Sequence, residues 1–169
     1  RYFSDESGRP IYLTGSYSDW ALQDNHWGEG VVDHDAVLEI SATYNHNFHR
    51  MSVVETSRLN EKQRALTTPM AYQRTGPGHA IDGAPKFNLT RFDPAYFDRL
   101  RSRVIAARAR GIYVMVMLFQ GWSIEPKDRP SLNPWPGHPY HSANNINGIN
   151  GDANGNGQGE EVHTLAIPA

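Results

Sequence analysis

The chain has 169 residues, enough for one domain with a hydrophobic core. Its 16 Lys and Arg residues nearly balance its 18 Asp and Glu residues, so it lacks the basic excess typical of nucleic-acid-binding proteins. It contains no cysteine, which excludes disulfides, thiolate metal sites and cysteine catalysis.

The N-terminal third predicts a strand, a helix and a second strand. An apolar run at about 11–15 follows turn-forming residues and predicts the first strand. Asp33 is a suitable N-cap for a helix over about 34–45, where apolar residues recur at helical spacing. The segment FHRMSVVE, at 48–55, predicts the second strand.

A second helix and a third strand follow later in the chain. Asp93 can cap a helix over about 94–110, with Pro94 at its first position, and Gly111 ends it. The next residues, at 112–119, are apolar throughout, which is typical of a strand buried on both faces of a parallel sheet.

These elements predict an α/β fold in one domain over 1–169, with the order strand, helix, strand, helix, strand. The loops after the second and third strands are long, at about 56–93 and 120–161. Long loops at the carboxyl ends of parallel strands commonly build active sites. We therefore expect the functional residues in these two loops.

Three segments together resemble the clan A glycoside hydrolases, and more narrowly a bacterial cellulase-like group that often carries a collagen-binding domain. They are RYFSDESGRPIYLTGSYSDW, NHNFHRMSVVE and FDPAYFDRLRSRVIAARARGIYVMVMLFQGWS. The loop PWPGHPYHSANNINGINGDANGNGQGEEVHTL also resembles that group, so the resemblance covers nearly the whole chain.

The resemblance implies the N-terminal β-α-β-α-β portion of a (β/α)₈ barrel whose two catalytic glutamates end strands 4 and 7. Neither glutamate has a matching position in this chain. The resemblance places Arg50 on strand 2 beneath the nucleophile, where a guanidinium holds a carboxylate ionised. It also places Phe119 where many relatives have histidine.

Glu55 ends the second predicted strand, so we expect it at the mouth of a cleft, supporting catalysis or binding sugar hydroxyls. The alternative is an ion pair with Arg58 or Arg74. The four tryptophans lie in loops after strands and either stack on sugar rings or anchor the loops: Trp20, Trp27, Trp122 and Trp135.

Neutral polar side chains are concentrated in the loop after the third strand. Candidates for hydrogen bonds to sugar hydroxyls are Gln120, His138, His141, Asn144 and Asn145. His138 and His141 are three residues apart and could instead bind a metal, although the sequence offers no matching third ligand.

A structural calcium ion is the one cofactor that the sequence suggests. Oxygen-bearing side chains at alternate positions before a glycine are typical of the first half of a calcium loop, and here they are Asp152, Asn154 and Asn156, with Glu160 beyond. His163 stands at the twelfth position, where such loops have glutamate. The alternative is an ordered Gly/Asn-rich loop without metal.

Three functions remain open from the sequence. The first is a segment of a secreted or periplasmic glycoside hydrolase that supplies substrate-cleft residues. The others are a non-catalytic carbohydrate-binding fragment and a metal-stabilised structural fragment. In each case we expect no nucleic-acid or membrane partner, because charge is balanced and no apolar run is long enough to span a bilayer. We do expect the remaining barrel segment or a second copy to cover the open sheet edges.

Overall fold

The computed structural model describes residues 3–17, 22–24, 31–60, 63, 65–125, 127 and 129–164. Its strands and helices are β1 (Phe3–Ser4), β2 (Pro10–Ile11), β3 (Gly15–Tyr17), α1 (His34–Thr43), β4 (Phe48–Ser52), β5 (Tyr72–His79), β6 (Pro85–Phe92), α2 (Pro94–Arg108) and β7 (Tyr113–Met117). After β7 the chain forms short 3₁₀ turns connected by irregular loop.

A three-stranded parallel sheet in the order β3-β4-β7 lies at the centre of the fold. Phe48 is the register partner of Gly15 on one side and of Tyr113 on the other. Helix α1 connects β3 to β4, and α2 lies between β4 and β7, as expected for parallel strands joined by crossovers. The predicted α/β class and the order of these five elements are confirmed.

The first parallel strand lies later than predicted, at Gly15–Tyr17 instead of about 11–15. The apolar start of the predicted strand pairs elsewhere, because Ile11 is the antiparallel partner of Phe3 in a small hairpin. The side chain of Asn47 then holds the connecting residues, accepting from Thr14 N at 2.8 Å and donating to the Tyr12 carbonyl. Parallel pairing starts only at Gly15.

Gly15 is required by the close approach of β3 to β4. A Cβ atom at this position would lie 1.6 Å from the Phe48 carbonyl oxygen, which belongs to the neighbouring backbone and cannot move aside. We expect Gly15→Ala to lower the free energy of unfolding by about 3 kcal/mol, at the upper end of overpacking costs. Denaturant unfolding measures this. Gly121→Ala is the control, because a Cβ there meets nothing within 4 Å, and equal losses in both variants would contradict the prediction.

The two helices begin and end close to the predicted residues. Asp33 accepts from Ala36 N at 3.1 Å and Asp93 accepts from Ala95 N at 3.0 Å, so both predicted N-caps are confirmed. After α1, Asn45 takes the left-handed conformation with φ 54°, and Gly111 does the same after α2 with φ 70°.

The core consists of two small clusters on the helix-covered face of the sheet. One joins Leu22, Met51 and Val53 to Tyr96 of α2, and the other joins Leu38 of α1 to Ala107 and Ile112. Val114 of β7 packs against both clusters, which ties the two helices to one sheet.

Strand β7 is not buried on both faces, contrary to the sequence-based expectation. Tyr113 and Met115 are about half exposed, while Val114 and Val116 pack against the core on the other face. Among the described residues β7 pairs only with β4, so no strand pairs with its outer edge. The segment 112–119 is apolar throughout, although the described residues bury only one face of the strand.

The loop predicted over 56–93 contains regular structure, which corrects the sequence-based assignment. Strands β5 and β6 form an antiparallel hairpin with register shifts. Its turn is closed by bonds between Ala80 and Ala84 and from Gly83 N to the Ala80 carbonyl, with Gly83 at φ 83°. The Asp82-Gly83 dipeptide is a standard hairpin signal, but the polar sequences on either side of it do not indicate strands.

Neither helix in the described part of the chain has the length and apolar character needed to cross a lipid bilayer.

Candidate functional site

A cleft of about 340 Å³ opens where β4 and β7 end. The chain leaves β4 through Val53, Val54 and Glu55, which form one wall. Leu118 and Phe119, just beyond β7, form the second wall. Because both strands are parallel, their carboxyl ends meet at one edge of the sheet, and the cleft lies there as the sequence predicts.

Glu55 is buried in this cleft, with 13% of its side chain exposed. Its Oε2 accepts from the backbone N–H of Gln120 at 2.5 Å and lies 3.5 Å from Nε2 of His163. Burial raises the pKa of Glu55 above its ordinary value, although these two contacts oppose the rise. Glu55 is thus a partly desolvated carboxyl group suited to holding or exchanging a proton.

The ion pair proposed as an alternative for Glu55 does not form. Arg74 pairs with Asp82, and Arg58 donates to the Asp82 carbonyl. Both arginines contact Asp82 of the hairpin turn, whereas Glu55 accepts a hydrogen bond from the loop after β7.

His138 faces Glu55 from the loop after β7. The imidazole is 2% exposed, and its Nε2 lies 4.0 Å from Oε1 of Glu55, too far for a hydrogen bond. Burial, with smaller contributions from the positive charges of His163 and His141, lowers the pKa of His138 to about 3. The ring is therefore neutral at physiological pH.

The hydrogen bonds of His138 determine which nitrogen carries its proton. Nδ1 accepts from the backbone N–H of Tyr140 at 3.1 Å, so the proton of the neutral ring lies on Nε2. That Nε2 is buried and has no hydrogen-bond partner among the residues that the structure describes. A neutral donor and a carboxyl group thus lie 4.0 Å apart, and a hydroxyl group placed between them would accept from His138 and donate to Glu55.

Trp135 supports His138 from beneath. The indole is 1% exposed and stacks on the imidazole with 5.0 Å between ring centroids. Gly151 and Gly159 pack against its ring so closely that a Cβ at either position would overlap it. Of the two roles considered for Trp135, the structure provides anchoring, and its ring has no exposed face for a sugar.

Aromatic rings line the remaining surface of the cleft. The Tyr72 hydroxyl is 2.7 Å from that of Tyr140, and burial raises the pKa of Tyr72. Phe92 stacks on Tyr72, and Phe119 makes an edge contact with His163. Phe119 and Leu118 are each 65% exposed at the mouth. The cleft therefore combines apolar ring faces with a few polar groups, a composition typical of small-ligand sites.

Gln120 and Trp122, also predicted to contact sugar, do not line the cleft. Gln120 contributes its backbone N–H to Glu55, while its side chain accepts from Ser123. Trp122 is half-buried under the ammonium group of Lys127, 4.6 Å from the ring centroid. Trp20 and Trp27 lie outside the described residues.

Three polar side chains of the same loop hold the loop together. The Asn145 amide donates to three carbonyl groups and accepts from two backbone N–H groups. Asn144 bonds two carbonyl groups of its own loop and Ile81 N of the hairpin turn. His141 accepts from Ala143 N. Asn144 and Asn145 are buried with their hydrogen bonds satisfied, so they position the segment that carries His138.

Arg50 lies within the sheet and does not line the cleft. Its Nε contacts the sulfur of Met117 on the neighbouring strand, on the sheet face away from the helices. Its predicted role beneath a nucleophile stays a prediction, because the resemblance places that nucleophile outside this chain.

The predicted calcium loop is organised by its own hydrogen bonds. Asp152 accepts from Asn156 N and Gly157 N at 3.0 and 2.9 Å, and Asn154 and Asn156 accept from backbone groups two residues later. Glu160 is exposed at the start of the turn that leads to His163. Calcium binding here stays a prediction.

Another groove, of about 570 Å³, runs along 66–75 and shows no comparable chemistry. Its charged side chains already have partners, since Arg74 forms an ion pair with Asp82 and Asp93 caps α2. The cleft at Glu55 is therefore the candidate site.

Sequence reasoning missed His163, Tyr72 and Tyr140 as members of the site. Leu118, which also lines the cleft, could have been predicted from the sequence, because it directly follows a parallel strand. No sequence pattern indicated His163, since only the folded loop brings it back to Glu55.

No protein family, curated protein or solved structure matches this chain.

Proposed function

We propose that this chain is a segment of a (β/α)₈-barrel glycoside hydrolase and supplies part of its substrate cleft. One observation carries the proposal: a desolvated carboxyl group, Glu55, faces the unpartnered Nε2–H of His138 in an aromatic-lined cleft. Sugars present hydroxyl groups that both donate and accept, together with C–H faces that pack on aromatic rings.

The same cleft favours binding over cleavage by this chain. Glycoside hydrolysis uses two carboxyl groups flanking the scissile bond. Among the described cleft-lining residues, Glu55 is the one carboxylate. The second candidate function is therefore carbohydrate binding without turnover, and the two differ only in whether further sequence completes the catalytic pair.

Affinity electrophoresis against soluble β-glucans, mannans, xylans and pectins tests the proposal. We expect at least one polysaccharide to retard the chain and Glu55→Gln to weaken that interaction about tenfold, since a bond to a charged acceptor is stronger than one to a neutral acceptor. Reducing-sugar assays on the same substrates should show no release. Failure to bind any polysaccharide, or equal binding by both proteins, would contradict the proposal.

The uncovered side of the sheet supports the barrel part of the proposal. Tyr113, Met115, Leu118 and Phe119 expose apolar surface along and beyond β7. In a closed barrel a further parallel strand would pair with this edge and bury that face.

We expect the isolated chain to self-associate through this surface, because an unpaired strand edge with apolar side chains templates further pairing. Multi-angle light scattering measures the molar mass in solution. Met115→Lys should shift the distribution toward monomer, whereas Ile40→Lys, at an exposed position of α1, should leave it unchanged. A stable wild-type monomer would argue against the barrel.

A further inference from the structure

A second cavity, separate from the cleft, contains an arginine whose charge is not neutralised. Arg58 lines this cavity and is partly buried. Its guanidinium makes one hydrogen bond within the described residues, from Nη2 to the Asp82 carbonyl at 3.0 Å. Its Nε is buried and has no hydrogen-bond partner.

The carboxylate of Asp82, which also lines this cavity, already has hydrogen-bond partners. The Asp82 carboxylate accepts from the Ser57 hydroxyl at 2.5 Å, from Ala84 N at 3.0 Å and from both terminal nitrogens of Arg74. Arg74 in turn packs over the Phe87 ring at 3.8 Å, which fixes the ion pair against the core. Among the described residues, these two arginines and one aspartate carry a net charge of +1, and the side chain without an ion pair is Arg58.

The cavity is small and has rigid walls. Its volume is about 130 Å³, the liquid volume of about four water molecules. Gly137 forms part of the wall, with its carbonyl bonded to Ser57 N at 2.9 Å, and a Cβ there would lie 2.9 Å from Arg58 N. The amide side chains of Asn60 and Asn133 add polar surface.

We propose that this cavity is a binding pocket for a small carboxylate group, held by the guanidinium of Arg58. A guanidinium has five N–H donors in a planar fork that matches the two oxygens of a carboxylate. A net positive charge in a confined cavity with amide groups in its wall favours an anion of this size. The pocket and the Glu55 cleft share no lining residue, so this proposal stands apart from the proposed function.

Titration with sodium acetate, at ionic strength held constant with sodium chloride, tests the pocket. We expect acetate to shift the arginine Nε–H resonance of Arg58 and the Gly137 amide in ¹H–¹⁵N spectra, with saturation in the millimolar range. Arg58→Gln should reduce the acetate affinity at least tenfold. Arg58→Lys, which keeps the charge but loses the fork, should retain only part of it.

The control is Arg101→Gln, at an exposed position of α2, which should bind acetate like the wild type. Acetate shifts no larger than those of chloride, or unchanged acetate binding by a folded Arg58→Gln, would overturn the proposal. Sulfate or phosphate binding more tightly than acetate would also overturn it, because the pocket would then prefer a tetrahedral anion. The wild-type titration needs no variant and decides the question even if Arg58→Gln does not fold.

Discussion

Acidification below pH 6.5 is expected to destabilise the chain through His138. The folded-state pKa of this buried ring is about 3, whereas an unfolded histidine has a pKa near 6.5. The contribution of His138 to stability is fully present above the unfolded pKa and is lost as the pH falls toward the folded one. The loss is at most about 1.4 kcal/mol per pH unit in this window.

The measurement is the free energy of unfolding in denaturant at half-unit steps from pH 7 to pH 4. His138→Gln removes the titrating group and should flatten the dependence, although it also weakens packing on Trp135 and lowers stability at pH 7. His34, whose pKa burial lowers to about 4, remains in both proteins, so the difference between their slopes isolates His138. His79→Gln, at an exposed position, should follow the wild-type curve.

If the free energy of unfolding of His138→Gln and of the wild type depends on pH in the same way, the folded protein must bind a proton at His138. In that case the imidazole would present two donors to the cleft instead of one. Its proposed pairing with a hydroxyl acceptor beside the Glu55 carboxylate would then need revision.

Local signals account for the part of the fold that the sequence predicted. Asp93, Pro94 and Gly111 act within one turn of their own helix, so their effect is visible in a short window. The position of Glu55 was also predictable, because a residue that closely follows a parallel strand lies at the carboxyl edge of the sheet.

The parts that were missed depend on contacts between distant segments. The sequence predicted Asn145 as a sugar ligand because an amide can bond hydroxyl groups, but its five hydrogen bonds go to four residues of its own folded loop. Ile11 looked like part of a parallel strand, yet Phe3 competes for it. In both cases the residue type indicates the kind of interaction that is made, but not the partner with which it is made.

The second large effect concerns Glu55, where stability and binding are expected to change in opposite directions. Its folded-state pKa lies above its ordinary value near 4.5, chiefly through burial. The favourable contribution of Glu55 is therefore present below the unfolded pKa and is lost as the pH rises through the folded one. Above its folded-state pKa the carboxylate is a desolvated charge, which lowers the stability of the folded state.

Glu55→Gln should therefore raise the melting temperature at pH 7, by roughly 2–4 °C for each kcal/mol gained in a chain of this size. The amide oxygen can still accept from Gln120 N, so the backbone contact is kept. The gain should shrink as the pH falls through the raised folded-state pKa and should be lost below about 4.5, where the carboxyl group is neutral in both the folded and the unfolded state. Glu6→Gln, at an exposed position, should change the melting temperature little at either pH.

A more stable Glu55→Gln variant that binds polysaccharide less tightly would identify Glu55 as a residue retained for function at a cost in stability. A variant that is less stable at pH 7 would instead assign the carboxylate a structural role, in which its contacts with Gln120 and His163 outweigh the cost of burying its charge. The pH dependence separates these readings, because only the first requires the stability difference to disappear in acid.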